Sequence, residues 1–157
     1  MSSHLLNTPE EGEVSNSLYD RDFYAWANRQ AALLRAGRLS EADIENIAEE
    51  IESMGRSEKR ELVGRLTVLL LHLLRWQFQP GLRSASWRLS IENTRCQLED
   101  HLNDNPSLKA QLDQAMRSAY RRATNEASVE TGFQRSTFPP ECAFTYNQAM
   151  NPDFWPE

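Results

Sequence analysis

The chain is predicted to be all-α: a bundle of about five helices around a long central one, with an aromatic- and proline-rich C-terminal coil packed on it. Three observations point to this. Apolar residues recur at three- and four-residue spacings through most of the sequence, the period of a helix with one buried face. Capping residues, glycines and prolines fall between these runs, where helices start and stop. One stretch, Leu69-Leu70-Leu71-His72-Leu73-Leu74-Arg75-Trp76, is apolar on almost every side, as befits a central, buried helix.

The elements follow in order. Residues 1–17 are polar, with Glu10, Glu11 and Glu13 around Pro9 and Gly12, and read as a flexible tail. Residues 18–157 read as one helical domain. Asp20 or Asp22 caps the first helix, which places Phe23, Trp26, Ala27, Gln30 and Leu34 on one face and ends at Gly37. Ser40 and Asp43 then form a variant capping box. The second helix has an inner stripe of Ile44, Ile47, Ala48, Ile51 and Met54, and it carries Glu41, Asp43, Glu45, Glu49, Glu50 and Glu52 with no basic residue. Gly55 is expected to interrupt it.

The third helix is expected from Ser57 to Gln79, with Leu62, Leu66, Leu69, Leu73 and Trp76 on its main face. At ~1.5 Å per residue it spans roughly 35 Å, and Pro80-Gly81 stops it. The fourth covers about Ala85 to Leu102. Asn105-Pro106 opens the fifth, which runs to Gly132 with an inner stripe of Leu108, Leu112, Ala115, Ala119, Ala123 and Ala127. Residues 133–157 hold six of the fourteen aromatics. Such a segment should lie on the bundle as an ordered coil, with a short helix after Thr145.

A chain of 157 residues matches the length of one domain and can bury a sizeable core. The formal charge of −6 argues against a generic nucleic-acid or anionic-membrane binder. No run reaches the ~18 apolar residues of a transmembrane span, and the first residues lack the basic start and apolar core of a signal peptide. Cys96 and Cys142 are far apart with no CxxC pattern, which suits a reduced pair. A cytoplasmic protein is expected.

Several ordered motifs stand out: Tyr19-Asp20-x-Asp22-Phe23-x-x-Trp26, Glu49-Glu50-Ile51-Glu52-x-Met54-Gly55, His72-Leu73-Leu74-Arg75-Trp76-Gln77, Ser86-Trp87, Pro106-Ser107-Leu108, Glu130-Thr131-Gly132 and Phe138-Pro139. Together they resemble the bacterial domain-of-unknown-function family numbered twenty-nine, over about residues 18–157. The resemblance implies an all-helical domain and implies no activity.

The residues that could carry chemistry centre on His72. Its ring could serve as a general base, or it could be a structural histidine bonded within the fold. Arg65 shares its face, about two turns away. Glu50 lies on the flank of the second helix that could reach a neighbour. The acids of that helix are otherwise expected to pair with the basic run from Arg56 to Arg95. Glu126 and Glu130 continue an apolar stripe and need partners if buried, with His72, Arg65 or Arg95 as candidates. Arg65-x6-His72 and Arg95-x5-His101 match the loose Arg…His spacing of helical ribonucleases, in which an arginine steadies a phosphate while a histidine moves a proton. Trp76 and Trp87 could line an aromatic binding pocket or simply fill the core.

No metal site is expected, because Glu-x-x-His pairs, His-x-x-x-His and HExxH are absent. His101, near a helix end, does not read as a ligand. No cofactor motif is present. The leading functional expectation is a protein-interaction or self-associating module. The alternative is a hydrolase or ribonuclease centred on His72.

Overall fold

The computed structural model describes residues 17–157, so the tail expected over 1–16 lies outside it. Among the described residues every regular element is helical. They are α1 (Leu18–Arg21), α2 (Phe23–Arg35), α3 (Ile44–Phe78), α4 (Ala85–Asp104), α5 (Leu112–Thr131) and α6 (Tyr146–Met150), with short 3-10 turns between some of them. The residues gather into two compact units, one up to Ser53 and one from Met54 onward.

In the first unit, Ser17 caps α1 and Asp22 caps α2, accepting from the Ala25 amide at 3.0 Å. Of the two aspartates read from the sequence, Asp22 is therefore the one that starts the main helix. Gly37 follows its end at φ +71°, the left-handed geometry that a glycine adopts without a Cβ penalty. Trp26 and Leu33 supply the buried apolar surface, and Tyr19 and Phe23 pack their rings on Trp26 at centroid distances of 4.7 and 5.4 Å.

Asp43, not Ser40, caps α3. Its carbonyl accepts from Ile47 N–H at 2.9 Å and its carboxylate from Asn46 N–H at 3.4 Å. Ser40 instead lies in a 3-10 turn, Leu39–Glu41. Asp43 also ties α3 to α2. Its carboxylate accepts from the Trp26 indole at 3.1 Å, and its own amide donates to Gln30 Oε1 at 2.7 Å. The bonds from the Asn46 side chain and from Trp26 hold its carboxyl below the ordinary carboxylate range.

The second and third helices of the sequence reading are one helix. α3 runs 35 residues without a break at Gly55. A glycine inside a helix costs about 1 kcal/mol relative to alanine, which a flanking run of strong helix formers can absorb. What ends a helix is a left-handed residue or a proline, and among the described residues only Gly37 and Gly132 have positive φ. Ion pairs farther along the chain include Arg65–Glu61, Arg75–Glu130 and Arg88–Glu92.

The second unit holds the main core. Leu62, Leu66, Leu69, Leu70, Leu73 and Leu74 of α3 are fully buried, with Ile91 and Leu98 of α4 and the small stripe Ala115, Ala119, Ala123, Ala127 of α5. Ser84 caps α4, accepting from Trp87 N–H. Pro106 opens a 3-10 stretch, Pro106–Gln111, rather than the fifth helix itself, which begins at Leu112 and ends at Gly132 with φ +73°.

The C-terminal segment is ordered coil, as its composition suggests. Phe138, Phe144 and Ala149 join the core, and Thr145 and Gln148 form a capping box on α6. Coil carbonyls have no ladder partner, so donors must come from elsewhere. Arg95 donates to Ala149 O at 2.7 Å and Phe154 O at 2.8 Å, Arg83 to Pro156 O at 3.3 Å, and Tyr120 to Pro139 O at 2.6 Å.

Candidate functional site

Among the described residues, no hydrogen bond or ion pair joins any two of the six polar residues singled out from the sequence. His72 is half-buried, and its Nδ1–H donates to Val68 O at 2.8 Å, one turn back on its own helix. Glu50 accepts from the Tyr19 hydroxyl at 2.5 Å within the first unit. Arg65 binds Glu61 through Nε and Nη2, at 3.0 and 2.6 Å. Arg95 is 5% exposed and spends its donors on the C-terminal carbonyls. Glu126 is exposed, and Glu130 pairs with Arg75 at 3.2 Å, not with His72, Arg65 or Arg95.

Trp76 and Trp87 are each only partly buried. Trp76 stacks near Trp155 at 4.8 Å, and Arg83 lies over its ring. Trp87 carries the Arg75 guanidinium 4.4 Å from its centroid. Trp155 in turn has Arg88 and Arg95 over it, at 4.9 and 5.2 Å. Arginine–indole contacts of this kind are attractive where desolvated. Here they also anchor the C-terminal segment against α3 and α4.

The concentration of convergent polar groups lies around the other histidine. His101, in the last turn of α4, is 7% exposed. Its Nε2–H donates to the Glu58 backbone carbonyl at 2.9 Å, which fixes the ring and leaves Nδ1 facing outward. Glu58 Oε2 and Glu61 Oε2 each lie 3.7 Å from that nitrogen. Glu58, Glu61 and Arg65 occupy positions i, i+3 and i+7 of α3, so they share one face. Asn105 donates to Glu58 Oε2 at 3.3 Å, and Arg65 clamps the far oxygen of Glu61. The Arg65 bond holds the Glu61 carboxyl below the ordinary range, and the nearby His101 adds to that effect. The cluster opens onto a surface cleft of about 440 Å³, which Gln97, Asp100 and Asp104 also line.

His101 carries no local mark of a ligand in the sequence. The two glutamates and the histidine are about forty residues apart, and no short motif links them. Only the packing of α4 on α3 makes them neighbours. A faint signal was available: Glu58 and Glu61 share a helical face with Arg65, and His101 falls in register with the buried Leu98 and Leu102.

Near this geometry stands the family assignment. The family model described as Domain of unknown function DUF29 matches residues 18–155, and the chain belongs to that family. No curated protein and no solved structure matches the chain. No helix among the described residues is long and apolar enough to cross a membrane.

Proposed function

We propose that this protein is a binding module, and that its contact surface is the apolar stripe on the first third of α3. One observation carries the reading. Ile44 and Ile51 are 51% and 59% exposed, although their spacing is that of a buried helical face. Phe23, Leu34 and Leu39 add further exposed apolar surface within the first unit. Contiguous apolar surface of this kind marks contact sites more often than isolated apolar residues do.

The chemistry of the occupant follows from the flanks. Glu45, Glu49 and Glu52 border the stripe on one side and Asp43 and Glu50 on the other, with no basic residue from Leu39 to Gly55. A surface that is apolar in the middle and acidic at both margins suits an amphipathic helix of a partner protein with apolar anchors flanked by lysine or arginine.

The test uses a Leu/Lys amphipathic 20-residue helix and its Leu/Glu counterpart as probes, read by fluorescence anisotropy. The basic peptide is expected to bind, and Ile51→Asp or Ile44→Asp to weaken it by about tenfold or more, the effect of losing one apolar anchor. Equal binding of the acidic peptide, or binding indifferent to both substitutions, overturns the reading. Sedimentation of the chain alone should show a monomer. A dimer abolished by Ile51→Asp would make a second copy the occupant and overturn the choice of partner.

A further inference from the structure

We propose that Glu58, Glu61 and His101 form a binding site for a divalent transition-metal ion of the zinc type. Three donors converge: one imidazole nitrogen and two carboxylate oxygens, all within 4.8 Å of one another. Two carboxylates alone would be ordinary surface chemistry. The distinguishing feature is the histidine. It is more than nine-tenths buried, its ring is locked by the Nε2–H bond to the Glu58 carbonyl, and its remaining nitrogen lies 3.7 Å from an oxygen of each carboxylate.

The ring held this way turns Nδ1 toward one oxygen of each carboxylate at 3.7 Å, so three donor atoms from two helices face one another. Zn–N and Zn–O bonds of ~2.0–2.2 Å put tetrahedral donors roughly 3.3–3.6 Å apart. The two nitrogen–oxygen separations of 3.7 Å therefore need to close by only a few tenths of an ångström, and the two carboxylate oxygens start within 4.8 Å of each other. Both glutamate side chains are more than 40% exposed and free to make that adjustment.

The surroundings match what metal ligands require. A ligating histidine normally donates its other N–H to a carbonyl or carboxylate, and ligating carboxylates are themselves hydrogen-bonded. Here the Glu58 carbonyl, Asn105 and Arg65 supply those contacts. The nitrogen ligand favours zinc and its transition-metal neighbours over magnesium or calcium, which take oxygen ligands. Three protein ligands beside an open cleft leave a coordination position accessible from solvent.

The test titrates the full chain, stripped of metal by chelation, with Zn²⁺ by calorimetry and with Co²⁺ by visible absorption. One equivalent is expected to bind, with cobalt bands typical of a low-coordinate N/O site. Glu58→Gln and Glu61→Gln keep side-chain size at exposed positions and should fold normally. Each should lower affinity by roughly 100-fold, at or beyond the upper end of what outer contacts to a ligand cost. Arg65→Met should lower it about tenfold. His72→Gln and the Cys96→Ser/Cys142→Ser double variant should leave it unchanged. Absence of binding by the folded wild-type chain overturns the proposal, as does binding that survives Glu58→Gln and Glu61→Gln together.

Discussion

His72 and His101 make an instructive pair. His72 sits between Leu71 and Leu73 in the most apolar stretch of the chain, yet its ring reaches the margin of the core and bonds only to its own helix. His101 sits between Asp100 and Leu102 in a polar stretch, yet it is buried and bonded across to α3. Sequence neighbours on a helix point about 100° apart, so the company a residue keeps along the chain says little about the company it keeps in space. What matters is the face on which it falls. His101 shares one with Leu98 and Leu102, whereas His72 falls beside the main leucine face.

The contrast can be tested by removing side chains and measuring urea unfolding in the presence of chelator. The largest effect is expected two positions from His72. Leu70→Ala empties a fully buried site and should cost about 3 kcal/mol, within the usual range for such truncations. His101→Ala should cost about 2 kcal/mol, because it leaves a cavity and removes the bond that ties the end of α4 to the Glu58 carbonyl of α3. His72→Ala should cost below about 1 kcal/mol, since it removes a half-exposed ring whose one bond competes with water. If His72→Ala proved more damaging than His101→Ala, the assignment of faces to α3 and α4 would be wrong.

At neutral pH the smallest effects belong to two tyrosines, one in each unit. The Tyr19 hydroxyl is pushed up to about 12, chiefly because it donates to Glu50 and would lose that bond on ionising. Tyr120 is pushed up to about 12 by burial. A hydroxyl whose folded value lies above the unfolded ~10 binds its proton more tightly in the folded chain. Its contribution is therefore present in full below about pH 10 and is lost as pH rises through 12. The urea midpoint should fall over that window, and the fall should shrink in both Tyr19→Phe and Tyr120→Phe. A midpoint flat through pH 12 would contradict the two contacts.

α3 repeats the lesson on a larger scale. Its first third carries a sound amphipathic pattern, and the pattern alone made Ile44, Ile51 and Met54 core residues. They are exposed, because periodicity reports that a face is apolar and not whether anything covers it. Farther along the same helix the pattern and the burial agree, from Leu62 to Leu74.

Local chemistry was legible in the residues themselves. The helical class, the Asp22 cap, the left-handed ends at Gly37 and Gly132, the leucine core of α3 and the ordered aromatic coil all follow from interactions within a few residues, or from composition. Gly55 shows the limit of this reasoning. A single glycine biases a helix by about 1 kcal/mol, less than the packing on either side contributes, so continuity was settled by the whole rod. The meeting of Glu58, Glu61 and His101 belongs entirely to tertiary structure, because it depends on the register of α4 against α3, and register is set by how two leucine faces interlock rather than by any residue that would serve the site.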